Sequence, residues 1–464
     1  MKTKDREKRL YIPSKVNLPE LILAHRSERY RDDHQDKYAY VLSKIIEQKI
    51  FTTQKVNGLV PLHAGTLKKV INNIYKQVLD DLLAWGVIVT DNHYITSADD
   101  SENAVSKGYG IASPFQSKAI EIMILKEDFA KKIHRKQVEK GNKPAYYILS
   151  QLKNILIRDI DAMTYIDAKY ASTIGLIDSL PSDNLYERYT QAIGQMPDKM
   201  VYTIKNEDDY ERTFLNDPVT LKGIMIDKYN ADFYSIQNIV NRNYSWDVDK
   251  ISGRVYSFVT NLSRDLRQFL YHRNYPDTPL VNVDIRNSQP FIFCSLLQDY
   301  YQHQLPLDAR EYIMLCSTGK LYDMLMDEMG YKGSRKEFKQ LLFSTLFYCK
   351  NYTSNKSIHS EYFRERFPSV YRCISHFKKG NYKRLSHMMQ KAEADLMIQK
   401  VVKSLMRTSV FLTTVHDSII ALESDVDLVR DTIIKYFQKE HSLRPSLDDE
   451  YLRKVNVEAI KQAA

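Results

Sequence analysis

The stretch Thr413-Thr414-Val415-His416-Asp417-Ser418-Ile419-Ile420-Ala421-Leu422 decides how the rest of this 464-residue chain is read. An apolar, β-branched run breaks at His-Asp-Ser and then resumes, the pattern of two short strands joined by a tight turn with a carboxylate at its tip. Asp and Ser also serve plain hairpins by bonding their own backbone, so the triplet alone does not define a site. A second stretch, Leu280-Val281-Asn282-Val283-Asp284-Ile285-Arg286-Asn287-Ser288-Gln289-Pro290, ends another short apolar strand on an acid. Two strand-end carboxylates point to a divalent-metal site for phosphoryl transfer. Two hard cations about 3.5–4 Å apart activate a hydroxyl and stabilise a departing pyrophosphate, and Mg²⁺ is usually held by one or two carboxylates plus substrate phosphates. Asp284 and Asp417 are the expected catalytic and metal-binding pair, with two Mg²⁺ ions expected and Mn²⁺ as a substitute.

The chain is too long for one ordinary core, and several domains are expected. Hydrophobic residues at 43% allow full-sized cores. A net charge of +9, with 67 Lys plus Arg beside 33 Tyr, supplies cationic and stacking surface suited to nucleic acid. The four cysteines, Cys294, Cys316, Cys349 and Cys373, have no C-x-x-C spacing and read as reduced core residues. The charged amino terminus is followed by no apolar segment, and no uninterrupted apolar run approaches the length of a membrane span. The expectation is a cytoplasmic, nucleoid-associated protein with no membrane partner.

Residues 1–35 are polar, with Pro13 and Pro19, and read as an arm. Helical periodicity follows over Tyr38 to Ile46, Thr66 to Asn73, and Tyr75 to Trp85, stopped by Gly86. The period then becomes that of strands at Val87 to Thr90 and Tyr94 to Thr96, and a polar loop over Asp99 to Asn103 leads on to Ser106 to Ile111. Three helices and a two-stranded wing over residues 36–115 resemble a winged helix-turn-helix, with Thr66, Lys68, Lys69, Asn72 and Lys76 as a thin basic face for nucleic acid or protein. Residues 116–245 read as a packed helical layer whose clearest amphipathic piece is Ala145 to Leu156.

Four ordered motifs occupy the remainder. Ser252-Gly253-Arg254-Val255-Tyr256-Ser257, then Thr260-Asn261-Leu262, Arg264 and Arg267-Gln268-Phe269, precede the Asp284 strand. Between the two aspartates, Arg335, Lys339, Phe343 and Phe347 recur every four residues and so form one helical stripe, cationic then aromatic. His387-Met388-Met389-Gln390-Lys391-Ala392-Glu393-Ala394-Asp395-Leu396-Met397-Ile398 forms an amphipathic helix ahead of the His-Asp-Ser turn, with Glu393 and Asp395 read as solvated. Asp448-Asp449-Glu450 reads as a solvated acidic turn.

In this order the motifs resemble those of family A DNA polymerases, over roughly residues 250–440. Gly253-Arg254-Val255-Tyr256 and Ser418 also resemble single-subunit phage-type RNA polymerases. The resemblance implies an α+β right-hand polymerase. Its palm would comprise residues 246–300 and 385–464, its fingers 301–384 and its thumb 116–245, with the winged helix appended. It further implies a template-directed nucleotidyltransferase, a DNA polymerase of family A type, for a phage or mobile element, using a primer–template and nucleoside triphosphates; upstream of residue 250 the sequence shows no strand-end Asp-x-Glu pattern of an exonuclease, so no proofreading is expected. Arg335 and Lys339 would neutralise the triphosphate, and Phe343 and Phe347 would meet the incoming nucleotide. Arg254, Asn261, Arg267, Gln390 and His416 would hold the primer–template. The chain departs from that family in lacking the Glu that follows the first Asp and excludes a ribose hydroxyl. Phe347, without a hydroxyl to recognise ribose, favours DNA synthesis. An RNA polymerase or primase is the alternative, and a catalytically inactive nucleic-acid-binding replication protein is the rival of another class.

Overall fold

The computed structural model describes residues 9–51, 59–91, 106–133, 142–193, 217–242 and 246–452. Its thirteen strands there are β1 (Arg9–Pro13), β2 (Val60–Pro61), β3 (Ile88–Thr90), β4 (Gly108–Ile111), β5 (Ala119–Met123), β6 (Ile155–Ile157), β7 (Trp246–Val248), β8 (Val255–Ser257), β9 (Leu270–His272), β10 (Leu280–Ile285), β11 (Leu412–Val415), β12 (Ser418–Leu422) and β13 (Leu447–Leu452).

The centre is an antiparallel sheet of order β11-β12-β10-β13. Val283 pairs with Ile419, Asp284 with Asp448, and Val415 with Ser418. Because side chains alternate along a strand, the sheet has two apolar faces. Val281, Val283 and Ile285 join Leu412, Ile419 and Ala421 against Phe291 and Leu297 of helix Ser288–Tyr300 and Phe437 of helix Val426–His441. Leu280, Val415, Ile420 and Leu422 pack on Phe258, Leu266 and Phe269 and on Ile236 and Ile239 of helix Pro218–Val240. Each fully buried aliphatic contributes about 1.5–3 kcal/mol, so the register is strongly set, and a one-residue slip would turn both faces inside out.

The acidic turn expected at residues 448–450 is instead the edge strand β13. Its carboxylates are paired: Asp448 with Arg286, Asp449 with Arg430, and Glu450 with Arg264. Charge along an edge also discourages pairing with another chain.

The arm expected over residues 1–35 is core from Arg9 onward. β1 pairs with β5, and Leu10, Ile12, Leu18 and Ile22 are buried with Tyr38, Val41, Leu42 and Ile45 of the long helix Glu28–Phe51. The prolines misled. Pro13 ends a strand, and Pro19 lies in the first turn of helix Leu18–His25, where its missing N–H is not needed. Helices Ala64–Ile71 and Tyr75–Ala84 follow as expected, then a sheet of order β2-β4-β3. The expected strand at Tyr94 to Thr96 lies outside the described residues.

This amino-terminal unit is tied to helix Pro218–Val240. Lys49 pairs with Asp227, and the Asn230 amide bridges β5, accepting from Ala119 N–H at 2.7 Å and donating to Ser117 O at 2.9 Å. On the same helix, Asp232 accepts from the Ser263 hydroxyl beside the sheet. The amphipathic piece read over Ala145 to Leu156 is α-helix over Lys143–Gln151 and a single 3-10 turn over Leu152–Asn154. Asn142 caps it by accepting from Ala145 N–H at 3.2 Å, and β-branched Ile155 and Ile157 leave the helix to pair with β9.

Candidate functional site

Asp284 is the fifth residue of β10, and Asp417 sits in the two-residue turn between β11 and β12. His416, the other turn residue, adopts φ +56°, a left-handed conformation that closes so short a hairpin. Because β10 and β12 are neighbours in the sheet, the two acids come within electrostatic reach. The Asp284 carboxyl is pushed up to about 7, first by burial and then by the Asp417 charge; Lys339 and the Ile285 N–H oppose the rise, and Asp448 across the register adds to it. Two desolvated carboxylates resist sharing a site unless a proton or a cation comes between them. The donors are hard oxygens, which suits Mg²⁺ held jointly with substrate phosphates. Among the described residues no cluster of three or more Asp, Glu, His or Cys is placed to hold a metal ion.

Arg254 does not stand free to grip a phosphate backbone. A tight turn in which Gly253 takes φ +76° delivers it inward, and its Nε and Nη2 donate to the two carboxylate oxygens of Glu393 at 2.8 and 2.7 Å. Gln289 Nε2 donates to the same carboxylate at 2.5 Å. Glu393, expected in solvent, is therefore fully buried at 0% exposure, whereas Asp395 is exposed as read. Burial and then Asp417 push the Glu393 carboxyl up to about 7, against Arg254 and Gln289. A bidentate guanidinium–carboxylate pair fixes direction as well as charge, and here it ties β8 to helix Lys383–Leu396 behind the two aspartates.

The expected stripe helix begins at Ser334, which exchanges capping bonds with Glu337 at 3.2 and 2.8 Å. Arg335 donates to Asp323 at 2.9 Å and to the Asn287 side chain at 3.0 Å, and its guanidinium lies over Tyr322. Lys339 is exposed on the next turn and within reach of the Asp284 charge. Beyond it the stripe changes. Phe343 is only 8% exposed, and over Phe343–Phe347 the helix widens to a π turn. Phe347 consequently points into the core at 0% exposure, and Tyr348, at 39%, stacks on Phe343 with ring centroids 5.1 Å apart. Burial pushes the Tyr348 hydroxyl up to about 12, with Arg254 opposing and Glu393 and Asp417 adding. Of the two aromatic residues, Tyr348 is the one exposed and within reach of the Asp417 charge, while Phe347 is buried.

Arg267 is half-buried with its Nε unpartnered; burial pulls its pKa down, against Glu450 and Asp284. His416 is held below the ordinary imidazole value by the protein crowding it and then by Arg254, with Arg267 adding and Asp417 opposing. Its ring meets Tyr256 edge-on at 5.6 Å. Asn261 and Gln390 are half-buried, Gln390 lying one turn before Glu393. The fold therefore gathers Asp284, Asp417, Lys339, Arg267 and His416 around one place, with Arg335 anchored beside the end of β10.

Glu393, Gln289 and Tyr348 are the residues that sequence reasoning missed. Glu393 carried a signal: with Leu385, Met389 and Leu396 it continues the buried face of its helix, and a carboxylate there requires a partner.

No family model matches the chain, and no curated protein matches it. Among solved structures it is similar to one described as the POL domain of Pol1 from M. smegmatis in complex with DNA primer-template and dNTP, at 11% identity and a TM-score of 0.43, over 67% of this chain and 69% of that one. Among the described residues no helix is long and apolar enough to cross a membrane.

Proposed function

We propose that this chain is a template-directed nucleotidyltransferase that extends a nucleic-acid primer from nucleoside triphosphates. The observation that carries the reading is the Asp284–Asp417 pair, one carboxylate near the end of β10 and one in the turn before β12, where burial and then the Asp417 charge push Asp284 up to about 7. A folded protein has no packing reason to hold like charges together out of water. Residues 246–300 and 385–464, with the central sheet, would be the palm, residues 301–384 the fingers, residues 116–245 the thumb, and residues 36–115 a winged-helix module.

Asp284 and Asp417 would hold Mg²⁺, which supplies charge stabilisation to the attacking and leaving oxygens. The chain's own groups do the remainder. The primer 3′-hydroxyl attacks the α-phosphate and pyrophosphate departs, its charge met by Lys339 and Arg335. The Arg335 bond to Asn287 holds that guanidinium beside the end of β10 before substrate arrives. Arg267, half-buried and short of partners, suits a phosphate of the primer strand. Gln390 and Asn261 would line the duplex. Arg254 acts through Glu393 and Gln289, fixing the wall against which Tyr348 stands. No acidic strand-end pattern for a 3′-exonuclease occurs upstream of residue 250, so extension proceeds without proofreading.

A DNA product is favoured by Phe343, the choice of family A DNA polymerases at that place on the stripe, whereas Phe347 is buried and cannot discriminate a sugar. The Tyr348 hydroxyl within reach of the Asp417 charge, with no Glu after Asp284, favours ribonucleotide use as a second reading. Purified chain, a primed DNA or RNA template, Mg²⁺ and either nucleotide set test both. Extension lost in Asp284→Ala supports the proposal, and no extension under any pairing leaves a binding protein.

A further inference from the structure

Helix Arg335–Leu342 ends in a π turn whose defining bond runs from Tyr348 N–H to Phe343 O at 2.8 Å, five residues back. In a regular helix that bond comes from residue 347, which then continues the 335/339/343 face. One extra residue gives that place to Tyr348 and rolls Phe347 inward, where its ring meets Phe293 edge-on at 5.8 Å. π turns are rare and gather at functional sites, and because the helix ends at Tyr348 its last carbonyls have no helical donor and take side-chain partners instead. Thr345 O accepts from Ser360 Oγ at 2.7 Å, and Leu346 O accepts from Lys378 Nζ at 2.6 Å. Lys378 is 4% exposed at the end of helix Pro368–Lys378, its ammonium shared between that carbonyl and the Cys349 thiol at 3.9 Å. An ammonium buried on a neutral carbonyl is unfavourable in itself, and nothing in the metal or phosphate chemistry above employs it.

We infer that Lys378 is a positioning residue which fixes the register of this helix end, so that Tyr348 rather than Phe347 stands beside Asp417 and the Arg254–Glu393 pair. Its kinetic consequence rests on the nucleotidyl-transfer reading; the register itself does not. A side chain without an N–H donor at position 378 releases Leu346 O, the turn relaxes toward i to i+4 bonding, and the aromatic positions exchange.

The test uses the full chain, whose four native cysteines are buried. Tyr348→Cys and Phe347→Cys are each labelled with a maleimide, with Lys378 intact and with Lys378→Met. With Lys378 intact, Tyr348→Cys reacts about tenfold or more faster; with Lys378→Met the ratio falls toward one or inverts, as loss of one charged hydrogen bond requires. Lys378→Gln, shorter and neutral, is the second variant should Lys378→Met not fold, and lowers the ratio less. An unchanged ratio in the variants that fold overturns the inference. In the kinetic arm, Lys378→Met raises the nucleotide KM about tenfold with kcat little changed, and Phe347→Tyr recovers it only in that background. Wild-type chain that adds no nucleotide would overturn the functional reading, while the labelling ratio still decides the register.

Discussion

Arg254 and Glu393 meet in a bidentate pair, 2.8 and 2.7 Å, with the carboxylate wholly out of solvent and a third donor from Gln289. The pair joins a segment ahead of the first aspartate to a helix ahead of the second. Removing one member leaves the other charge buried and unpaired, which costs about 3–5 kcal/mol. Arg254→Met and Glu393→Met should each lower unfolding free energy by that order, and the double variant by much less than their sum. Denaturant unfolding of the four proteins measures it, and additive losses would show that the pair is not coupled.

Asp284→Ala and Asp417→Ala should each abolish nucleotide addition while keeping the wild-type unfolding transition and nucleic-acid affinity. Removing a metal ligand forfeits transition-state stabilisation rather than packing. Mg²⁺ should raise the Tm of the wild type more than that of either variant, through binding to the folded state alone. Extension near the wild-type rate by either variant contradicts the assignment.

For the sugar, Tyr348→Phe should change the ratio of kcat/KM for ribo- over deoxyribonucleotides by about tenfold, the worth of one hydrogen bond. Phe347→Tyr, which buries a hydroxyl in the core, should leave that ratio alone and lower stability by about 1–3 kcal/mol. Single-nucleotide incorporation kinetics and thermal melts separate the two. The reverse pattern would restore the regular-helix alignment.

Asp232 gives a pH dependence with a definite sign. Burial raises its carboxyl to about 6, against its bond from Ser263 and the Lys169 charge and with Asp265 adding. The folded chain therefore holds this proton more tightly than the unfolded chain, and stability falls as pH rises from about 4 to about 6. Asp232→Asn should flatten that segment of the profile and stabilise the protein at pH 8 by on the order of 2 kcal/mol. Equal benefit at pH 4 and pH 8 would refute the assignment.

The hairpin around Asp417 and the strand ending near Asp284 were legible because period-two apolar runs and a His-Asp-Ser turn leave few alternatives. The helix from Arg335 was equally plain from its stripe and its Ser334–Glu337 cap. What followed was not, since strict four-residue spacing presumes an unbroken helix, and the bond that breaks it comes from Lys378, distant in sequence. Arg254 misled for a related reason: a Gly-Arg motif signals a tight turn and a cation but not which anion meets it. The amino-terminal segment is not legible from its prolines, because a proline marks a loop and a strand end or first helical turn alike, and Pro13 and Pro19 sit at the latter two.

The Lys49–Asp227 pair and the two bonds of Asn230 fasten the amino-terminal unit to the helix beside the central sheet. A nucleic acid touching both Lys68 or Lys69 and the aspartate site would be held like an object between calliper jaws whose spacing those bonds set. Binding strength should then step upward once a substrate is long enough to bridge the gap, rather than grow smoothly with length.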